Sequence, residues 1–259
     1  MSALFARVVK QALITFEHEN YSAFKLNFNA LKHLVDQLTI KDLEISTEIL
    51  NFQSPNAAPV KYIEIFEHKT FTMSVFVMQN KYTMPMHDHP GHGLLRVLSG
   101  TARIQSYTID DNPPMINSIQ QRILSAYEEP CIEVTTNNES AVLSPTKCNL
   151  HEITAAGRVP IAFFDILSPP YESNISIYGP KKCLFYRRLP MNSSSDESSS
   201  SDLTENGDHD TITVQNPKRK VYLQQIRVPN HYFCDNIYYD PPGFLTNLNF
   251  LNSIDDTAL

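Results

Sequence analysis

The chain has 259 residues, 42% of them hydrophobic, and a formal net charge of −7. That length allows one or two domains with a sizeable core. The charge is local: residues 1–190 carry 17 Lys and Arg against 18 Asp and Glu, while residues 191–210 carry six acids and no base. A near-neutral body with no basic face excludes the usual electrostatic partners, nucleic acid above all.

The first predicted element spans residues 3–16, where Phe5, Val9, Leu13 and Phe16 fall at helical spacing behind a possible N-cap at Ser2. A second helix is predicted over 22–38, with Phe24, Phe28, Leu31, Leu34, Val35 and Leu38 on one stripe. Both stripes need a larger body to pack against. The first helix, with Arg7 and Lys10 and no acid before Glu17, also resembles a mitochondrial presequence. Glu17 and Glu19 favour the packing role.

From Val60 to Arg188 short β-rich runs recur between turn residues: Tyr62–Phe66, Phe71–Met78, Leu94–Leu98, Thr101–Tyr107, Ala141–Leu143 and Ile161–Leu167. Many short strands at near-regular spacing predict a closed barrel or sandwich. Ser99-Gly100 reads as a tight hairpin turn between two of them. Residues 191–216 have no apolar cluster to bury in Asn192–Asp202, so a disordered surface loop is expected. Within it Ser193, Ser194 and Ser199 each precede an acid by three residues, a pattern that acidophilic kinases favour. Lys220–Leu223 returns to strand texture, and the tail from 244 should fray. The expected division is 1–45 helices, 46–190 barrel, 191–216 loop, and 217–259 a strand and tail completing the same domain.

Cys131, Cys148, Cys183 and Cys234 form no CxxC pair. Four reduced thiols in a cytoplasmic monomer are expected, leaving mitochondrial or nuclear presence open. No apolar run reaches the ~20 residues needed to span a membrane.

The chemistry concentrates in Met84-Pro85-Met86-His87-Asp88-His89-Pro90-Gly91-His92-Gly93. On a strand, residues i and i+2 share a face, so His87 and His89 form a two-point chelate. Such pairs also occur on ordinary surfaces. A third histidine, His151, in a β-rich stretch downstream and a turn signal directly after the pair favour a metal site. Imidazole suits iron, zinc, copper and nickel. His92 follows the pair too closely to be a natural fourth member, and Cys148 reads either as a reactive thiol near His151 or as a small buried hydrophobe.

Met84–Gly100 resembles the metal-binding hairpin of the cysteamine (2-aminoethanethiol) dioxygenases and plant cysteine oxidases. So do Asn149-Leu150-His151-Glu152-Ile153 and Phe164-Asp165-Ile166-Leu167-Ser168-Pro169-Pro170-Tyr171, and the likeness runs in order to about Gly243. The resemblance implies a mainly β, cupin-type barrel (double-stranded β-helix, jelly roll) with N-terminal helices packed on it. It implies Fe(II) on His87, His89 and His151, and O2 used to turn a thiol into a sulfinate. The thiol would be free cysteamine, the N-terminal cysteine of a protein, or both, and the second case would make the enzyme an oxygen sensor. From the same resemblance, Asp165 is either a hydrogen-bond partner of a ligating imidazole or an ordinary strand-end aspartate. Tyr171 either contacts O2 or substrate or packs beside Pro169-Pro170. Where many cupins place a glutamate ligand this chain has Gly93 and Leu94. Phe185 stands where some animal relatives carry a tyrosine proposed to cross-link to the preceding cysteine, here Cys183, so that cross-link should be absent. The other function classes are a cupin metalloenzyme of another reaction type and a non-enzymatic binding module.

Overall fold

The computed structural model describes residues 2–17, 21–52, 56–110, 122–173, 180–190 and 219–246. The serine-rich segment 191–216 and the tail from 247 lie outside the described residues.

Two helices, α1 (Ala3–Glu17) and α2 (Tyr21–Val35), precede the strands. Ser2 Oγ accepts from Phe5 N at 3.4 Å, so it caps α1 at the predicted place. Helix α2 ends at Val35, three residues short of the expected limit. Leu38 N bonds Val35 O in a tightened last turn, and the Asp36 carboxylate is taken by Ser140 N at 2.6 Å and Lys32 Nζ at 2.8 Å. Leu38 stays fully buried although it has left the helix.

Thirteen strands follow: β1 (Val60–Glu67), β2 (Thr72–Met78), β3 (Thr83–Asp88), β4 (His92–Ser99), β5 (Thr101–Ile109), β6 (Ile123–Glu128), β7 (Ile132–Thr135), β8 (Ala141–Leu143), β9 (Leu150–Ala156), β10 (Ile161–Ser168), β11 (Phe185–Arg188), β12 (Lys220–Ile226) and β13 (Cys234–Asn236). One sheet has the order β13-β1-β2-β10-β4-β8, the other β6-β12-β11-β3-β9-β5-β7. Within them β2-β10-β4-β8 faces β3-β9-β5-β7, all antiparallel. Strands β2, β4, β8 and β10 belong to one sheet and β3, β5, β7 and β9 to the other. This is the double-stranded β-helix arrangement, so the cupin-type barrel is the fold. A β5–β6 pairing also curls the second sheet into a ring over Met86, Tyr107, Leu150 and Val221.

One expectation needs correcting. Gly100 does turn the chain sharply, at φ 76°, where a Cβ would press within 2.8 Å of the Pro160 carbonyl oxygen. Yet β4 and β5 lie in different sheets, so Ser99-Gly100 is a crossover between sheets and not a hairpin turn. The same holds for β3 and β4, which the sequence reading joined as a metal-binding hairpin. Alternation alone cannot distinguish these cases, because a strand that changes sheets keeps the same period.

The helices cover the outer face of the first sheet. Phe5, Val9, Leu31 and Val35 pack with Val75, Leu94, Phe164 and Ile166 in one buried cluster. The alternate residues of the same strands, Phe76, Leu95 and Phe163, point between the sheets. At ~1.5–3 kcal/mol per buried large side chain, each face contributes substantially to folding.

Candidate metal centre

His87 lies one residue from the end of β3, and His89 lies just past it, in the turn towards β4. His151 is the second residue of β9 and is the register partner of His87. A register shift between Met84 and His87 kinks β3 at Pro85. That kink suits a proline, which has no N–H to give the ladder, and it re-aims the histidine end of the strand. Gly91 lets the following turn press on β10: a Cβ there would come within 2.2 Å of the Ser168 carbonyl oxygen.

The three rings converge. Their centroids stand 4.7 Å (His87–His89), 5.0 Å (His87–His151) and 4.5 Å (His89–His151) apart. One nitrogen from each falls within 4.8 Å of the others, a group that can hold a metal ion. His87 Nδ1 bonds the Pro85 carbonyl at 2.8 Å, and His89 Nδ1 bonds the Asn149 carbonyl at 2.8 Å. A carbonyl only accepts, so each Nδ1 carries the proton and each Nε2 keeps its lone pair. Burial lowers the pKa of all three imidazoles, most strongly for His89 and His151. Neutral imidazoles with free Nε2 lone pairs are the state a metal requires.

Among the described residues no carboxylate joins them. Gly93 shares the inward face of β4 with Leu95, and a Cβ at Gly93 would meet the Leu143 side chain at 3.0 Å. The space that a side chain at 93 would enter is therefore filled from β8. His92 is turned the other way, its ring 4.7 Å from Phe24 and 5.8 Å from Phe28 under α2.

The histidines face a cavity of about 350 Å³ between the sheets. Tyr62, Phe76, Phe163 and Asp165 wall it from the first sheet, and Met84, Ile153 and Phe185 from the second; Tyr171, Cys183, Tyr232, Cys234 and Asn236 complete it. Asp165 faces this cavity, and burial pushes its carboxyl up to about 7. The N–H groups of His87 and His89 go to backbone carbonyls and not to Asp165. Tyr171 is brought to the same cavity; its hydroxyl donates to the Asp88 carbonyl and also pairs with the Cys183 thiol, which burial raises to about 11. Cys148 falls outside this cavity, on the far side of His151, and its backbone adopts φ 57°.

Asp88 was passed over in the sequence because it sits between two histidines and points the other way. Its buried carboxylate accepts from Leu184 N at 2.9 Å and Tyr186 Oη at 3.4 Å, and Lys181 Nζ lies 3.3 Å away. It thus fixes the segment carrying Cys183 and Phe185 against the histidine strand. The aromatic walls Tyr62, Phe76, Phe163 and Tyr232 were also missed. For Tyr62, Phe76 and Phe163 the only signal is an inward-facing strand position, shared with every core aromatic, and Tyr232 lies in the loop before β13. Arg96 donates to the Leu38, Thr136 and Asn138 carbonyls beneath the helices, away from the cavity. Among the described residues lining the cavity there is no Lys or Arg.

The family model PCO_ADO matches residues 34–244. The 2-aminoethanethiol dioxygenase of Homo sapiens is 29% identical, over 93% of this chain and 97% of its own length. A probable 2-aminoethanethiol dioxygenase of Dictyostelium discoideum is 26% identical over 64% of this chain and 73% of its own. Plant cysteine oxidase 1 of Arabidopsis thaliana is 24% identical over 64% and 57%. With its model spanning the barrel and all three histidines, the family to which this chain belongs is PCO_ADO.

Proposed function

We propose that the protein is an Fe(II)-dependent thiol dioxygenase that adds both atoms of O2 to a thiol and releases a sulfinic acid. The observation that carries this reading is a site of three neutral imidazoles, with no carboxylate grouped with them among the described residues, opening on a cavity whose described lining holds one Asp or Glu and no Lys or Arg. When bound to His87, His89 and His151, Fe(II) would bring thiolate and O2 together and supply the electrons that activate O2.

The protein's own groups decide which thiol fits. Asp165, the one Asp or Glu among the described residues lining the cavity, would meet an amine two carbons from the sulfur. An ammonium there would draw its raised pKa down and hold it ionised. Tyr171, which lines the same cavity, would contact O2 or the substrate. A substrate carboxylate would find no cation, which supports cysteamine and N-terminal cysteine peptides over free cysteine. The relatives named for 2-aminoethanethiol and for cysteine oxidation support both substrate types. Cysteamine fills roughly three waters' worth of space, ~90 Å³. A cavity of about 350 Å³ leaves room for further residues of a peptide. Oxidising protein N-termini would make the enzyme an oxygen sensor.

The four cysteines are free, which supports a reducing, cytoplasmic setting, and no helix among the described residues is long and apolar enough to cross a membrane. We assign the described residues within 1–45, 46–190 and 217–259 to one domain; the segment 191–216 lies outside the described residues.

The test is O2 consumption and sulfinate formation with cysteamine, a Cys-initiated peptide and free cysteine at equal concentration, beside metal analysis of protein purified without added metal. Iron with oxidation of the first two substrates is expected. Clear preference for free cysteine, or another metal with no thiol oxidation, would sink the reading.

A further inference from the structure

The histidine site is reached from two sides. Besides the cavity described above, a second one of about 220 Å³ lies in the other half of the sandwich, between β4 and β8 of one sheet and β5 and β7 of the other. Leu95 and His151 line both cavities, so they form the partition between them. The second cavity is walled by Leu95, Ile104, Ile132, Ala141, Val142 and Leu143. It reaches the surface past Ile132 and Val142, each 43% exposed, beside the exposed Lys147, while Glu129 is buried in its wall.

Its lining is aliphatic where that of the first cavity is aromatic. The first presents a carboxyl, phenols and thiols that suit a thiol bearing an amine. The second presents mostly aliphatic carbon from its mouth to the partition, interrupted by Ser106, Glu129 and Cys148. Such a passage costs a charged or strongly hydrated molecule its water, but costs a small apolar molecule almost nothing. Occupancy points the same way. A thiol substrate, and above all the end of a peptide, would plug the first cavity. Any co-substrate arriving afterwards needs another entrance.

We propose that this aliphatic cavity is the entry path for O2, reaching the metal site from the His151 side while the thiol occupies the other. The inference rests on the thiol dioxygenase reading given above. Leu143 then has two roles: it fills the space above Gly93 and it forms the wall of the path.

The test narrows the path without touching the thiol side. Ile132→Trp sits at the exposed mouth, and Ala141→Phe sits midway on β8. With cysteamine as substrate, both variants should raise the KM for O2 about five-fold or more, leaving the KM for thiol and kcat at saturating O2 within about two-fold. Crystals of the protein pressurised with xenon, a probe of dry apolar cavities, should show density between Ile104 and Leu143 that is absent in Ala141→Phe. Should Ala141→Phe fail to fold, Ile132→Trp carries the kinetic arm alone. An active wild type whose KM for O2 is unmoved in the folded variants, or xenon found only on the thiol side, would overturn the proposal. A wild type that oxidises no thiol would instead refute the function, and the path falls with it.

Discussion

Strands β2, β10 and β4 are covered on both faces, by helices outside and by the opposite sheet inside. Strands β3 and β9, which carry the histidines, have an outer face that lines an open groove with Thr83, Arg103, Gln105, Glu152 and Thr154. The burial patterns follow: β4 and β10 are buried almost without interruption, whereas β9 alternates. Walls and ligands are thus divided between two kinds of sheet. The doubly covered sheet supplies rigid walls to the cavity, and the half-wet sheet supplies the three imidazoles. A change in the first should be felt mainly as stability and a change in the second mainly as metal and activity.

The sharpest test is His151→Ala. The half-wet sheet should keep its fold, and the variant should lose most of its iron and nearly all thiol oxidation. Full iron content in a folded His151→Ala protein would erase the division. Next comes Phe164→Ala, on the helix side of β10, where the ring is fully buried and meets Phe5 edge-on at 6.4 Å. A loss of about 3–5 kcal/mol in urea unfolding is expected, with iron binding retained by whatever remains folded. Smaller is Asp88→Ala, which leaves Leu184 N, Tyr186 Oη and Lys181 without their shared acceptor. About 1–3 kcal/mol should be lost, together with activity, as Phe185 drifts from His87.

The wall itself should show a pH signature in metal-free protein. The Asp165 carboxyl sits at about 7 when folded against 3.8 when unfolded, so the folded state holds that proton more tightly. Its contribution is complete below pH 3.8 and is lost as pH rises towards 7. Asp165→Asn should therefore gain on the wild type across that window, as read from urea midpoints at each pH. An unchanging gap would contradict the buried carboxyl. The imidazoles move the other way: with pKa values lowered by burial, proton competition for the metal should set in below the ordinary histidine value of about 6.5 and not at it. The smallest effect belongs to Arg103→Ala on the exposed face of β5, expected within about 0.5 kcal/mol of wild type.

Much of this was legible beforehand because it depends on short-range periodicity. The apolar stripe of α1 and the strands β1, β2, β4, β8 and β10 fall within a residue or two of their expected limits, and α2 stops three residues early. Strands β7 and β13 are short and carry little alternation, and β11 begins directly after a Lys-Lys-Cys stretch, so none announced itself. His89 illustrates the limit of strand logic: it converges with His87 although β3 has already ended, because the Asn149 carbonyl captures its Nδ1. The cavity walls were not legible, since nothing local distinguishes Phe163, which lines the cavity, from Phe164 one residue on, which packs under a helix.

By itself the sequence determined the chemistry on offer: three histidines, no carboxylate at 93 or 94, and enough alternating apolar strands to enclose them. Those are matters of residue type and of spacing along one strand. The tertiary structure alone decided that β3 and β4 belong to different sheets, that Leu143 fills the space over Gly93, that Arg96 turns away from the cavity, and that Leu95 and His151 divide two chambers. Each of these joins residues far apart in the chain. Which of them meet is set by how two twisted sheets close on one another, and no local pattern encodes it.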